Sequence, residues 1–356
     1  MRSLLSITAP HRLIHEDWQK VLDSGVFTEG PFVRRLEEQV ERLYGHPAVA
    51  FNSAGTALFA VMRNLHIPHK AALVPVNTFF ATGAMVREAK IAPICVDANR
   101  YSFNMSSKEV GKMLSDSVIA TMARALVYTP VGGGFNELEY TGMANLAQEA
   151  GLHFVTDAAH SLGVGRGHLG KYGPAVFSLY PTKAVPGGEG GVVICRSEEF
   201  AGELRDFRNY GKWRDPEDPS YIQYKEGFNF RMDEWTAVVA FHQLIALEHI
   251  LELRAEVAKK LERIIAPMVI WDETNWYRYI VSSDFKATKT VGKVYARTDQ
   301  LDVALGLRRT ASDDDRYANA IAIAKLHQCL PLHEKMASWT LGQLERYLTT
   351  DWEGPV

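Results

Sequence analysis

The sequence has few of the features that mark secreted, membrane-spanning or metal-binding proteins. Its three cysteines, spread over 356 residues, are far apart and in no metal-ligand spacing, so we expect buried free thiols in a reducing cytoplasm. No apolar run approaches the length of a membrane span, and the N-terminus lacks the apolar segment of a signal peptide. The twelve histidines follow no zinc-binding pattern, so we predict no metal site.

The sequence also lacks an excess of charge of either sign. It carries 39 Lys and Arg against 42 Asp and Glu, a net charge of −3, and the basic residues are not clustered. Binding to nucleic acid or to an anionic membrane would need such an excess, so we predict neither partner. The length fits a large domain followed by a smaller one. We place the large cofactor-binding domain at residues 1–246 and the small domain at residues 247–356.

The most informative stretch covers residues 152–196 and contains three short apolar runs, each typical of a buried strand in an α/β sheet. The runs are Leu152–Thr156, Ala175–Tyr180 and Gly191–Cys195. Asp157 directly follows the first run, and Lys183 lies in the loop after the second. Open α/β sheets bind their ligands outside the carboxyl ends of the strands. We therefore expect a carboxylate and an amine to face one crevice.

A lysine and a carboxylate in one crevice fit pyridoxal phosphate. This cofactor is held as a Schiff base by a lysine, and its ring acts as an electron sink when a carboxylate keeps the ring nitrogen protonated. We assign these roles to Lys183 and Asp157, and we expect Ser178 to add a hydroxyl to the cofactor phosphate. The ordinary alternatives are a helix cap for Asp157 and a solvated loop position for Lys183. The joint occurrence of the three residues favours the cofactor.

The segments DAAHSLG, SLYPTK and GGEGG resemble the signature of the DegT/DnrJ/EryC1/StrS aminotransferases. These are fold-type-I pyridoxal-phosphate enzymes, most of which aminate nucleotide-linked keto-sugars. The resemblance runs from about His15 to about Leu348 and is weaker after Trp271. It implies an α/β fold with a mostly parallel central sheet flanked by helices, followed by a smaller C-terminal α+β domain.

The resemblance implies a phosphate site at the turn formed by Ser53, Ala54 and Gly55. Relatives have Ser-Gly-Thr there, and the free N–H groups at the start of a helix form an anion site. The threonine of the family falls on Gly55, so the candidate hydroxyl moves one position on, to Thr56.

Three more residues are assigned by the resemblance. Phe79 would stack on the cofactor ring, and His160 would form a hydrogen bond to the ring hydroxyl. Asn229, in the segment GFNFR, would reach the phosphate bound by the neighbouring subunit of a homodimer. Each also has an ordinary interpretation: a core aromatic, a polar residue packed on the sheet, and a turn asparagine.

Two segments depart from the family pattern. Residues 129–140 include three consecutive glycines, which we interpret as a permissive loop near the site, and residues 288–310 have no match to the substrate-binding segment of relatives. We expect amino transfer from an amino acid, with glutamate the usual donor, to a keto-sugar in amino-sugar, polysaccharide or secondary-metabolite biosynthesis. The alternatives are a cyclitol or other non-nucleotide keto-alcohol acceptor, and a non-catalytic regulatory homologue. Dehydratase relatives replace the lysine with histidine, so Lys183 argues against that reaction.

Overall fold

The computed structural model describes residues 7–214, 218, 222–307 and 316–355. We label the first eleven α-helices α1 to α11: His11–Ser24, Pro31–Tyr44, Ala54–Asn64, Phe80–Glu88, Ser107–Leu114, Ser117–Met122, Glu137–Glu149, Glu198–Arg208, Glu234–Ile245, Leu247–Glu262 and Leu301–Ala304. Two further helices cover Ala318–Leu326 and Leu341–Thr349. Short 3-10 helices cover Val131–Gly133, Arg297–Asp299 and Glu334–Ser338.

The strands β1 to β13 are Ala48–Phe51, Ala71–Pro75, Ala92–Val96, Ala123–Tyr128, Gly134–Phe135, His153–Asp157, Ala175–Ser178, Gly191–Ile194, Lys212–Arg214, Ile222–Tyr224, Glu273–Thr274, Tyr279–Ser282 and His327–Leu330. Seven of them form one sheet, in the order β1-β8-β7-β6-β4-β2-β3. Strand β8 runs antiparallel to both of its neighbours, whereas all other neighbouring strands in this sheet are parallel. The predicted α/β fold with a mostly parallel central sheet flanked by helices is confirmed.

The central sheet is buried on both faces because its strands carry apolar residues at consecutive positions. In β4, Leu126 and Tyr128 belong to one apolar cluster, while Ala125 and Val127 belong to the cluster on the opposite face. Successive side chains of a strand point to opposite faces, so each cluster lies on its own side of the sheet. Both faces are therefore closed to water, and polar groups can reach a ligand only at the ends of the strands.

A third apolar cluster lies in the C-terminal part of the chain. It joins α10 to β12, β13 and the helix Leu341–Thr349. The opposite side of β12 contributes Ile280 to one of the two clusters that cover the central sheet. This separate small core supports a domain boundary near residue 247, which stays a prediction.

Helices α9 and α10 meet at a sharp bend. Taken as one run they are long and apolar, but the chain turns by 62° between them. Among the described residues, no single helix is both long and apolar enough to cross a bilayer. The bend lies at Ala246, between the two helices.

Candidate active site

A cavity of about 640 Å³ opens at the carboxyl ends of the central strands. Asp157 and Ser178 are the last residues of β6 and β7, and Thr129 directly follows β4. Eight of the nine predicted site residues line this cavity: Ser53, Ala54, Gly55, Phe79, Asp157, His160, Ser178 and Lys183. The crevice predicted from strand ends is therefore present, and it brings the carboxylate and the amine together.

Asp157 is a buried carboxylate held by neighbouring donors. Thr82 donates a hydrogen bond from Oγ1 to Asp157 Oδ2 at 2.6 Å, and the backbone N–H of Ala159 donates to Oδ1 at 3.2 Å. Burial raises the pKa of Asp157, although these two hydrogen bonds and the positive charge of Lys183 oppose that effect. A cation placed beside this carboxylate would favour its ionised form.

Lys183 lies over the ring of Tyr277. Its Nζ is 4.6 Å from the ring centroid, and the tyrosine hydroxyl lies 3.3 Å from Oγ1 of Thr182. Burial lowers the pKa of Lys183, and the nearby guanidinium of Arg278 lowers it further, while Tyr277 and Asp157 act in the opposite direction. A lysine with a lowered pKa presents more of the neutral amine, the form that attacks a carbonyl group.

His160 is buried and its ring has a defined hydrogen-bonding pattern. The backbone N–H of Gly132 donates to His160 Nδ1 at 3.3 Å, so a neutral ring carries its proton on Nε2. Burial lowers the pKa of His160 well below its usual range, with further lowering by the charges of Lys183 and Arg278. The ring is also packed against that of Tyr277, at a centroid distance of 4.5 Å. This neutral histidine can therefore donate one hydrogen bond from Nε2.

The start of α3 borders the same cavity. Ser53 is the N-cap residue, and its Oγ accepts a hydrogen bond from the N–H of Thr56 at 3.1 Å. The first N–H groups of a helix have no acceptor within the helix, which leaves those of Ala54 and Gly55 for an anion. The hydroxyl of Thr56 donates to Asn52 Oδ1 at 2.6 Å, and Thr56 does not line the cavity. The structure therefore gives no support to Thr56 as the replacement hydroxyl.

The two remaining predicted residues are more exposed. Phe79 is 54% exposed, lines the cavity and contacts Phe80 edge to face. Asn229 is exposed, pairs with Asn209 through an isolated backbone bridge and does not line the cavity of its own chain. Its place outside this cavity is compatible with a role in a second subunit, which stays a prediction.

The structure adds residues that the sequence did not reveal. Tyr277, Arg278, Val294, Tyr295 and Asp299 all line the cavity. The last three belong to the segment 288–310 that had no match to relatives, of which residues 308–310 lie outside the described part of the chain. Tyr277 and Arg278 directly precede β12, and an aromatic–basic pair beside a short apolar run was their sequence signal.

The three glycines at 132–134 are closely packed, contrary to the permissive loop we expected. The N–H of Arg278 donates to Gly132 O at 3.0 Å, and that of Asn275 donates to Gly133 O at 2.9 Å. A Cβ at Gly134 would lie 2.1 Å from the indole of Trp271. These glycines let the segment 271–278 approach the sheet edge, and so they position Tyr277 and Arg278 in the cavity.

A comparison with known protein families identifies the family of this chain. The profile of the DegT/DnrJ/EryC1/StrS aminotransferase family matches residues 11–341. The chain belongs to this family. Its members use pyridoxal phosphate, so the predicted family, enzyme class and cofactor are confirmed.

Solved structures share the fold of this aminotransferase over nearly its whole length. A protein from Streptococcus pneumoniae described as a sugar aminotransferase in its PMP form has a TM-score of 0.82 at 18% identity, covering 95% of this chain and 96% of its own. PseC from Helicobacter pylori, an aminotransferase of pseudoaminic acid biosynthesis, has a TM-score of 0.76 at 20% identity, covering 96% of both chains. A GDP-4-keto-6-deoxymannose-3-dehydratase with bound GDP-perosamine has a TM-score of 0.77 at 17% identity, covering 96% of this chain and 99% of its own. Because a dehydratase shares this fold, the reaction must be argued from the site residues.

The cavity of this aminotransferase fits pyridoxal phosphate. The buried Asp157 carboxylate, whose pKa burial raises, lacks a full counter-charge, and a protonated ring nitrogen would supply one. Lys183 offers an amine with a lowered pKa, and the start of α3 offers N–H groups for a phosphate. Each chemical group of the cofactor therefore has a matching protein group in one cavity.

Proposed function

We propose that this chain transfers the amino group of an amino acid, with L-glutamate as the expected donor, to the keto group of a nucleotide-linked sugar. The observation that carries the proposal is that Lys183 and Asp157 line one cavity at the carboxyl ends of the central strands. An aminotransferase needs a lysine at this position, whereas the dehydratase relatives have a histidine there. Family membership supports the keto-sugar acceptor.

Each site residue has a distinct task in this proposal. When bound, pyridoxal phosphate supplies an aldehyde that joins to amines and a ring that accepts the electron pair left when a proton departs. Lys183 would hold the cofactor, and its neutral amine, once freed, would take up the proton that leaves the donor Cα. Asp157 would keep the ring nitrogen protonated, and Thr82 orients this carboxylate.

The remaining residues bind the cofactor. The Nε2–H of His160 would donate to the ring hydroxyl, and Phe79 would cover one face of the ring. The Ser53, Ala54 and Gly55 turn and the Ser178 hydroxyl would bind the phosphate. Ser178 is 7% exposed, and its Oγ accepts a bond of 3.3 Å from the N–H of Tyr180, so its own proton is available to a phosphate oxygen.

The proposed active form is a homodimer in which Asn229 completes the phosphate site of the neighbouring subunit. The exposure of Asn229 and the cluster of half-exposed aromatic side chains near it, Tyr210 and Phe228, support a covered surface here. A cytoplasmic location is also proposed, and it is supported by the three cysteines, which are all buried free thiols.

The half-reaction with the donor tests the proposal. We expect purified protein supplied with pyridoxal phosphate to show a visible absorption band that L-glutamate converts to the pyridoxamine form. Lys183→Ala should slow this conversion about 100-fold or more, because it removes the proton carrier. Absence of any change in the wild-type protein would overturn the proposal.

The acceptor is tested in the second half-reaction. Protein in the pyridoxamine form is offered keto-sugars linked to different nucleotides and, in parallel, keto-cyclitols. Return of the original absorption band with a nucleotide-linked keto-sugar supports the proposed acceptor. If the band returns only with a keto-cyclitol, the acceptor is a keto-cyclitol instead of a nucleotide-linked sugar.

A further inference from the structure

The cavity contains a guanidinium group that has no anionic partner among the residues that the structure describes. Arg278 lines the cavity, and its Cζ lies 4.6 Å from the ring centroid of Tyr277. Its one side-chain hydrogen bond within the described residues is a long one, 3.3 Å from Nη2 to the hydroxyl of Tyr277. Its Nε is shielded from solvent and has no acceptor in the described part of the chain. An arginine has five N–H donors, so most of the capacity of this side chain is unused.

The acidic residues of the cavity do not neutralise Arg278. Asp157 accepts its hydrogen bonds from Thr82 and Ala159, and Asp299 accepts one from the N–H of Ala296. Within the residues that the structure describes, neither these carboxylates nor the exposed Glu189 form an ion pair with Arg278. A planar guanidinium without a partner is suited to a carboxylate or a phosphate from a ligand.

The position of Arg278 indicates which part of a ligand it would meet. Nζ of Lys183 and Cζ of Arg278 are each 4.6 Å from the centroid of the same Tyr277 ring, so the two cations cannot be farther apart than twice that distance. The amine of the donor must reach the same cofactor carbon to which the amine of Lys183 would be bonded. In an α-amino acid, the carboxylate is attached to the carbon that bears this amine, and so it must lie close to Lys183 as well. The diphosphate of a nucleotide-sugar lies many bonds away from the reacting keto group.

We propose that Arg278 binds the α-carboxylate of the amino-acid donor, and this proposal rests on the aminotransferase function proposed above. The backbone holds the residue in place for this task, since its N–H donates to Gly132 O at 3.0 Å. Arg254 anchors the preceding residues by donating to the carbonyl groups of Asn275 and Trp276 at 2.9 and 2.8 Å. Arg254 is itself buried and paired with Glu334 at 2.6 Å. The guanidinium of Arg278 is therefore presented by a rigid segment.

Binding of a carboxylate at Arg278 would also act on Lys183. The positive charge of Arg278 contributes to the lowered pKa of Lys183. A bound carboxylate would offset this charge, so the freed amine would become a stronger base when the donor is present. The donor would thereby favour the proton transfer that its own reaction requires.

The test uses three amines that differ in their carboxylates. L-glutamate carries an α- and a γ-carboxylate, 4-aminobutyrate lacks only the α-carboxylate, and L-alanine keeps the α-carboxylate but lacks the γ-carboxylate and one methylene group. Dissociation constants are obtained from the absorption change of the pyridoxal-phosphate form of wild type, Arg278→Gln and Arg278→Lys. Calorimetric titration with glutarate, a dicarboxylate that has no amine, adds a measurement of binding that does not depend on reaction. Arg87→Gln, which alters an exposed arginine of α4 outside the cavity, is the control.

We expect Arg278→Gln to weaken binding of L-glutamate and L-alanine by about 10- to 100-fold, as for loss of a hydrogen bond to a charged group. Binding of 4-aminobutyrate should change much less, because only the altered pKa of Lys183 acts on it. Glutarate should also bind more weakly, and Arg87→Gln should match the wild type. Equal effects on all three amines, loss with 4-aminobutyrate but not L-alanine, or no effect would overturn the proposal. If Arg278→Gln does not retain the cofactor, the same comparison with Arg278→Lys decides. A wild-type protein that reacts with no amine would instead overturn the aminotransferase function itself.

Discussion

The amine of Lys183 lies against the ring of Tyr277, with 4.6 Å between Nζ and the ring centroid. Tyr277 is in turn affected by its neighbours: burial raises its pKa, but the charges of Lys183 and Arg278 and the hydrogen bond with Thr182 outweigh that effect and lower it. The tyrosine and the lysine therefore influence each other's protonation. This relationship was not visible in the sequence, and it makes the reactivity of Lys183 depend on two residues of the C-terminal part of the chain.

Replacement of Tyr277 and of Arg278 should shift the reactivity of Lys183 in opposite directions. Tyr277 raises the pKa of Lys183 and Arg278 lowers it, so Tyr277→Phe should lower that pKa further and Arg278→Gln should raise it. The neutral amine takes up the cofactor, so the pH of half-maximal uptake should fall in Tyr277→Phe and rise in Arg278→Gln. The rate of pyridoxal phosphate incorporation into cofactor-free protein, followed by absorbance across pH, gives both values. Shifts of the same sign in both variants would contradict this account.

The hydrogen bond from Thr82 to Asp157 should contribute directly to catalysis. Thr82→Val removes a donor that lowers the pKa of this buried carboxylate, so the pKa of Asp157 should rise further and its ionised form should be less available to the ring nitrogen. We expect the rate of the L-glutamate half-reaction to fall about 10- to 100-fold, as for loss of a hydrogen bond to a charged group.

Thr78→Val is the matched control for this prediction. Thr78 is equally buried and contacts the Thr82 hydroxyl at 2.9 Å, but it makes no hydrogen bond to Asp157. Its replacement should therefore affect the rate much less. Equal losses in the two variants would assign the effect of Thr82 to general packing.

The close approach at the glycine run should be sensitive to a single methyl group. Gly133 has a φ of +87°, and a Cβ there would lie 2.1 Å from Oδ1 of Asn275. Gly133→Ala should therefore destabilise the protein by about 2 kcal/mol or more, through backbone strain and displacement of Asn275. Asn275 Oδ1 accepts from the N–H of Tyr277 at 2.9 Å, so the variant should also weaken the reaction with L-glutamate.

Gly142→Ala provides the comparison for the glycine run. Gly142 lies inside α7, and a Cβ there would meet no atom within 4 Å. Alanine is favoured over glycine inside a helix by about 0.5–1 kcal/mol, so this variant should be slightly more stable than the wild type. Denaturant unfolding of the two variants measures the difference. A Gly133→Ala variant as stable as Gly142→Ala would show that the loop can move away without cost.

The part of the site at the carboxyl ends of the strands could be predicted from the sequence, because the signals for it are local. Each strand of the central sheet is a short apolar run, and residues such as Asp157 and Ser178 lie at the strand ends where a parallel sheet binds ligands. The family motifs then supplied the chemistry for Lys183 and for the turn at Ser53. These parts of the site depend on a few neighbouring residues, and they could be located without knowing the rest of the fold.

The contribution of the C-terminal segments could not be predicted, because it depends on long-range contacts. Tyr277 and Arg278 reach the cavity because Asn275 Nδ2 donates to the carbonyl groups of His160 and Leu162, at 2.7 and 3.0 Å. Strand β11 also pairs with the short strand β5, which is more than a hundred residues away in sequence. The glycines at 132–134 illustrate the same limit, since the missing Cβ allows either a mobile loop or a close contact. Only the three-dimensional packing distinguishes the two.

A buried histidine on the far side of the cavity wall should make stability depend on pH. His327 is fully buried; its Nε2 accepts from the N–H of Val294 at 2.9 Å, and its Nδ1 donates to Ile323 O at 2.5 Å. Burial lowers the pKa of His327 to about 4, with further lowering by Lys293 and an opposing effect of the Ile323 carbonyl. A proton on Nε2 would face the N–H of Val294, next to the cavity residue Tyr295.

The lowered pKa fixes the direction of the effect. Above the ordinary value of 6.5 the ring is neutral in both the folded and the unfolded chain, so the pH does not change its contribution. Between 6.5 and about 4 the unfolded chain binds a proton that the folded protein does not, and the free energy of unfolding falls as the pH falls. At about 1.4 kcal/mol per pH unit between 6.5 and about 4, the total loss from this residue should be about 3 to 3.5 kcal/mol.

Unfolding by denaturant at several pH values, in wild type and in His327→Gln, isolates this contribution from those of the other histidines. The variant should be less stable at neutral pH, but its stability should fall less steeply between pH 6.5 and 4, because glutamine binds no proton in the unfolded chain. His11→Gln, at an exposed position in α1, controls for replacement of a histidine as such. Parallel curves for wild type and His327→Gln would mean that His327 is protonated in the folded protein as readily as in the unfolded chain.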